Sequence, residues 1–167
     1  TIYMESIASS SRPRSRLNLP HKYRPRVYQR PFWRALFLEG KTRLVRVCHR
    51  RFGKDLDCLS AVIAMACVRV GTYLYGLPEY GQAEAIIWEG IDNDGIPFMA
   101  RIPPELLLAK HETKLRATLT NGSIIQLVGT DRFDKSLVGR NPVCYVGSEH
   151  AIADPAAWEF PRPRGRR

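Results

Sequence analysis

Apolar positions fall at two periods along this chain, and the changes of period mark out its elements. Over 26–38 the apolar residues Val27, Phe32, Trp33, Leu36 and Phe37 keep near-helical spacing, with Pro31 close enough to the start to sit in a first turn. A short apolar run at 44–48 predicts a strand. The run over 56–70 (Leu56, Leu59, Val62, Ile63, Met65, Ala66, Val68) is apolar on most sides, which predicts a helix buried against a sheet. A second strand is expected over 72–77, stopped by Pro78, then a helix over 79–91 with Ile86, Ile87 and Trp88 inward and an Asn93-Asp94-Gly95 turn. Pro103-Pro104-Glu105 starts a short helix through Leu108. The runs 114–120 and 123–128 flank Asn121-Gly122, a strong hairpin signal. Beyond a polar loop at 132–140, Val143–Val146 reads as a strand, and Asp154-Pro155 opens a last helical piece through Trp158. Strands alternating with helices, plus one hairpin, predict an α/β architecture with a mainly parallel sheet flanked by helices.

Length allows one core and argues against two: 167 residues, 44% of them hydrophobic. No apolar run reaches the ~18 residues of a membrane span, so no membrane partner is expected. The formal charge of +10 is confined to the ends. Residues 1–30 carry seven Lys/Arg and one acid, and 161–167 carry four Arg, which leaves the stretch between with equal numbers of bases and acids. Three regions follow: a basic arm over 1–22 too poor in large apolar residues to order itself, a folded domain over 23–160 and a basic tail over 161–167. Cys48, Cys58, Cys67 and Cys144 show no paired metal-ligand spacing and sit in apolar stretches, as small buried thiols do.

The candidate chemistry lies in Cys48-His49-Arg50-Arg51-Phe52-Gly53-Lys54-Asp55, between a predicted strand and a predicted helix. That order, with Gly-Lys at the turn, wraps backbone N–H groups around a phosphate. The Walker A pattern G-x-x-x-x-G-K-[ST] is altered at both ends: Cys48 replaces its first glycine and Asp55 its final hydroxyl residue. A phosphate loop also needs an acid at the end of another buried strand. Val143 to Val146 followed by Gly147-Ser148-Glu149 offers one, with Ser148 where a Walker B strand usually carries its first carboxylate. The two departures match. Asp55 puts a carboxylate at the first place and Ser148 a hydroxyl at the second, so one of each is kept for magnesium with the positions exchanged.

Taken in order, Tyr28-Gln29-Arg30-Pro31-Phe32-Trp33, His49 to Asp55, Leu77-Pro78-Glu79-Tyr80-Gly81-Gln82-Ala83, Asn121-Gly122-Ser123-Ile124-Ile125, Ser136-Leu137-Val138-Gly139 and Ser148-Glu149 resemble the ATPase half of the large terminase subunits of tailed bacteriophages, over roughly 20–160. The resemblance implies an ASCE-type P-loop NTPase fold with a β-hairpin insertion, ATP and Mg2+ as cofactors, and ATP hydrolysis that in the intact protein drives double-stranded DNA into a capsid. Gln29 would read the adenine edge. Gly53 and Lys54 would hold the phosphates, with Arg51 alongside, and Asp55 and Ser148 the metal. Arg50 would stabilise charge on the γ-phosphate, and Glu149 would activate water. The implied partners are double-stranded DNA, a portal and a small terminase subunit, in an oligomer of the intact protein in the cytoplasm of a bacterial host. Family members continue with more sheet and a nuclease domain, so the basic run after Phe160 reads as a truncation, as in a decaying prophage.

Each residue also has a plainer reading. Gln29 would be an exposed helix residue, Arg50 and Arg51 solvated loop charges, and Glu149 an acid at a helix start. Two alternatives stay open for the whole chain: an inactive remnant that binds nucleotide or DNA, and a helicase-like P-loop ATPase.

Overall fold

The computed structural model describes residues 2–6, 23–131 and 141–153. The loop at 132–140, with its Ser136-Leu137-Val138-Gly139 block, the helical piece expected from Asp154 and the tail at 161–167 lie outside the described residues.

Among the described residues seven strands form one mixed sheet. In chain order they are β1 (Ile2–Ser6), β2 (Arg43–Arg46), β3 (Thr72–Leu77), β4 (Leu107–His111), β5 (Arg116–Leu119), β6 (Ile124–Gly129) and β7 (Cys144–Ser148), and in space β2-β1-β7-β3-β6-β5-β4. Only β3 pairs in parallel, with β6 and β7; the other four pairings are antiparallel. The expected mainly parallel sheet is therefore corrected to a mixed one, because β1 enters between β2 and β7 against their direction and the β4-β5-β6 meander closes the far side. β1 also corrects the expectation that 1–22 is wholly without order. Its five residues are too few to show a period, and what orders them is pairing on both sides, Tyr3 opposite Val45 and Gly147.

The helices are α1 (27–38), α2 (Lys54–Val68) and α3 (80–88). Residues 57–66 of α2 are all buried. Of these, Cys58, Leu59, Ala61, Val62, Ile63, Met65 and Ala66 share one core with the sheet residues Tyr73, Tyr75, Leu77, Ile125, Leu127, Cys144 and Val146, and Phe32 and Leu36 of α1 and Ala83, Ile87 and Trp88 of α3 complete it. In α3 the last turn is wide, Glu89 N–H reaching the Glu84 carbonyl. Ile87 and Trp88 point inward as expected, but Ile86 is 45% exposed, since three successive residues cannot share one helix face.

The hairpin forms where Asn121-Gly122 predicts it, with Gly122 at φ +88°, and it also ends α2. Asn121 Nδ2 and Ser123 Oγ both donate to the Ala66 carbonyl, at 2.8 and 2.9 Å, in the last helical turn where carbonyls lack partners. The short helix at Pro103 is confined to Pro104–Leu106. From Leu107 the chain extends, because pairing with β5 outweighs local helix preference.

Candidate functional site

Strand β2, the loop 47–53 and α2 form a strand–loop–helix unit. Gly53 takes φ +76°, a left-handed conformation that glycine adopts without a Cβ penalty, and so turns the chain into the helix at Lys54. Arg51, two residues earlier, is also left-handed at φ +63°.

What holds the loop's two flanks together is Asp57, wholly buried on the first turn of α2. Its Oδ1 accepts from Tyr23 OH and Trp33 Nε1 and its Oδ2 from Arg46 Nη1, each at 2.6 Å. Arg46 comes from β2 and lies over the rings of Phe32 and Phe52, 4.2 and 5.1 Å from their centroids. Burial first, then the hydrogen bond to Asp57, pushes the Tyr23 phenol well above its ordinary value, so it stays a donor. Strand, loop and helix are thus tied by one charged pair inside the core. Sequence reasoning missed both residues, although an acid inside an otherwise apolar helix is itself a signal of a buried partner.

At the loop's outlet four expected residues meet. Lys54 Nζ lies 2.5 Å from Glu149 Oε1 and 3.1 Å from Asp55 Oδ2. Ser148 Oγ donates to Asp55 Oδ1 at 2.6 Å. Lys54 and Glu149 are brought together although β1 separates their strands, so the strand tips are not neighbours in the sheet. A left-handed Glu149, φ +53°, turns the chain just beyond the end of β7. Such a conformation at a non-glycine residue costs about 1–2 kcal/mol and clusters at functional positions. Burial works against the Lys54 charge, but the Glu149 hydrogen bond and the Asp55 charge outweigh it and raise the lysine above its ordinary value.

A fifth residue, missed in the sequence, completes the group. Tyr75, buried on β3, donates to Asp55 Oδ1 at 2.9 Å. Burial, then the Asp55 charge, drives its phenol well above the ordinary range, so it too remains a donor. A strand tyrosine facing a buried helix reads as core, and only the contact reveals its second role.

Gln29, Arg50 and Arg51 stand apart from this group. Both arginines are exposed in the turn ahead of Gly53. Gln29 is 3% exposed, not the open helix residue of the plainer reading, and its amide is taken up by the protein. Its Oε1 accepts from Arg26 N at 2.8 Å and lies 3.1 Å from the Tyr23 hydroxyl, whose hydrogen goes to Asp57, and its Nε2 donates to the Phe52 carbonyl at 3.2 Å.

Among the described residues no three His, Cys, Asp or Glu gather as a metal cluster, and no helix is long and apolar enough to cross a membrane. A nucleotide-bound magnesium needs only one or two protein oxygens, which Asp55 and Ser148 can supply. Comparison of the chain with protein-family models, with curated proteins and with solved structures returned no match.

Proposed function

We propose that this chain is the nucleotide-binding part of a P-loop ATPase of the phage terminase kind, hydrolysing ATP with magnesium. The observation that carries the reading is one cluster: an ammonium at the start of α2 set against a carboxylate past the end of β7, beside the exchanged Asp55 and Ser148 pair. A lysine, a carboxylate and a hydroxyl around a glycine turn make a donor set suited to a triphosphate and a hard cation.

In this reading Lys54 leaves Glu149 to bind the β and γ phosphates. The freed Glu149 Oε1 accepts a proton from the attacking water. Asp55 and Ser148 would hold the magnesium, whose chemistry is to neutralise phosphate charge. Tyr75 keeps the Asp55 carboxylate turned toward Ser148. Arg50, exposed on the loop, would supply positive charge to the γ-phosphate, with Arg51 beside it. Coupling to movement of double-stranded DNA, with a portal and a small subunit, belongs to the same proposal for the intact protein.

The test is ATP turnover with magnesium by the full chain and by Lys54→Ala and Glu149→Gln, with binding measured in parallel. Lys54→Ala should abolish binding. Glu149→Gln should lower turnover by about 10²–10⁴-fold while binding ATP slightly tighter, up to about fivefold, because a part-exposed ion pair is worth at most about 1 kcal/mol. ATP binding indifferent to Lys54 would refute the reading. Lys54-dependent binding without turnover would make the chain a nucleotide-holding protein.

A further inference from the structure

The amide of Gln29 faces inward, against the loop. Besides its contacts with Arg26, Tyr23 and Phe52, a Cβ placed on Gly53 would lie 3.5 Å from Gln29 Nε2, so the amide packs directly behind the glycine turn. A group so engaged braces the loop, and with 3% of the residue exposed it is turned away from an incoming nucleobase.

The neighbouring residue is placed differently. Tyr28 is 50% exposed, and its ring meets Phe52 edge-on at 4.8 Å between centroids and 61° between planes. His49, also exposed, meets the same Phe52 at 5.6 Å and 80°. Phe52 is two residues from Lys54. Three rings therefore converge on the loop that leads into Lys54. Aromatic faces hold bases by stacking, which every base can satisfy, whereas adenine and guanine are told apart by hydrogen bonds to their edges.

Resting on the phosphate-loop reading above, we propose that the base of the bound nucleotide stacks on the Tyr28–Phe52–His49 cluster. Gln29 is then a positioning residue for the loop, and the chain accepts purine nucleoside triphosphates without choosing adenine over guanine.

Titration calorimetry of the full chain with the magnesium salts of ATP, GTP and inorganic tripolyphosphate tests this. ATP and GTP should bind within about threefold of each other, and tripolyphosphate at least about fivefold more weakly, the low end of one base–aromatic stack. Tyr28→Ala, at a half-exposed site, should weaken ATP and GTP about fivefold or more and leave tripolyphosphate unchanged. A tenfold or greater preference for ATP over GTP overturns the proposal, and so does a Tyr28→Ala protein with unaltered ATP affinity. If either result comes with binding that still needs Lys54, the phosphate-loop reading survives and only the stacking proposal falls. Binding that ignores Lys54 removes both.

Discussion

Asp57 sets the sharpest quantitative expectation. The side chain is fully buried and is the common acceptor for a phenol, an indole and a guanidinium, each at 2.6 Å. Asp57→Ala strips the counter-charge from an Arg46 side chain that is only 12% exposed. Breaking one side of such a buried pair costs about 3–5 kcal/mol. The Tyr23 and Trp33 donors lose a partner as well, each worth about 1–3 kcal/mol if left dry. These losses overlap once water enters the gap, so about 4–6 kcal/mol is the expected total. That is a large share of the roughly 5–15 kcal/mol that holds a domain folded, and at about 2–4 °C per kcal/mol the melting temperature should fall by roughly 10–20 °C. Asp57→Asn keeps an acceptor for the two neutral donors but leaves the Arg46 charge uncompensated with an amide N–H turned toward it, so it should still cost about 3–5 kcal/mol. Arg46→Met combined with Asp57→Leu should be more stable than Asp57→Ala alone, because no unpaired charge is left inside. Urea unfolding followed by tryptophan fluorescence reads all three, Trp33 being in direct contact with the carboxylate. A loss below about 1 kcal/mol for Asp57→Ala, against the 3–5 kcal/mol of a broken buried pair, would show that the pair does not hold the loop.

Three other outcomes follow from the same geometry. Gly53→Ala forces a side chain into the left-handed region and should cost about 1–2 kcal/mol in urea unfolding; an unchanged midpoint would mean that the turn adopts another conformation. Deleting residues 2–6 uncovers the backbone of β2 and β7 together, so light scattering should show more association than for the full chain. The folded-state pKa of Lys54 is raised, so its stabilising contribution is complete below the ordinary lysine value of about 10.4 and is lost as pH climbs through the higher folded value. Stability measured from pH 7 to 9 should therefore change equally in wild type and Lys54→Met, and a difference in slope there would contradict the ion pairs seen at Nζ.

How far the fold can be read from the chain depends on how local each cause is. The buried helix at Lys54–Val68 and the Asn121-Gly122 hairpin rest on period and turn chemistry within a few residues, and both are legible. β1 is not, because it exists only through strands far along the chain, and β4, although it pairs with the next strand, is hidden behind the Pro103-Pro104-Glu105 helix start that runs into it. The candidate site divides in the same way. Lys54, Asp55, Ser148 and Glu149 are legible as a set, since a strand–loop–helix unit and a strand end deliver them to one edge. Asp57 and Tyr75 are hidden, the first beside a more conspicuous aspartate and the second inside a run that looks like ordinary core. Gln29 is legible in place but not in direction: nothing in Tyr28-Gln29-Arg30 says which of two adjacent side chains turns inward.

The insertion of β1 also dictates an order of assembly. Ser6 lies opposite Cys144, 138 positions along the chain (144 − 6), while the β5–β6 hairpin closes across a handful. Contacts so distant in sequence carry a loop-closure cost before they return any stabilisation, and they slow folding. The meander and α2 can therefore gather early, whereas the β1–β2 pair joins the rest of the sheet only through β7, whose residues are synthesised much later. On the ribosome, β1 and β2 can pair once both have emerged, but the other edge of β1 stays uncovered until 144–148 have been made, which makes this half of the sheet the place where a chaperone has the longest interval in which to act.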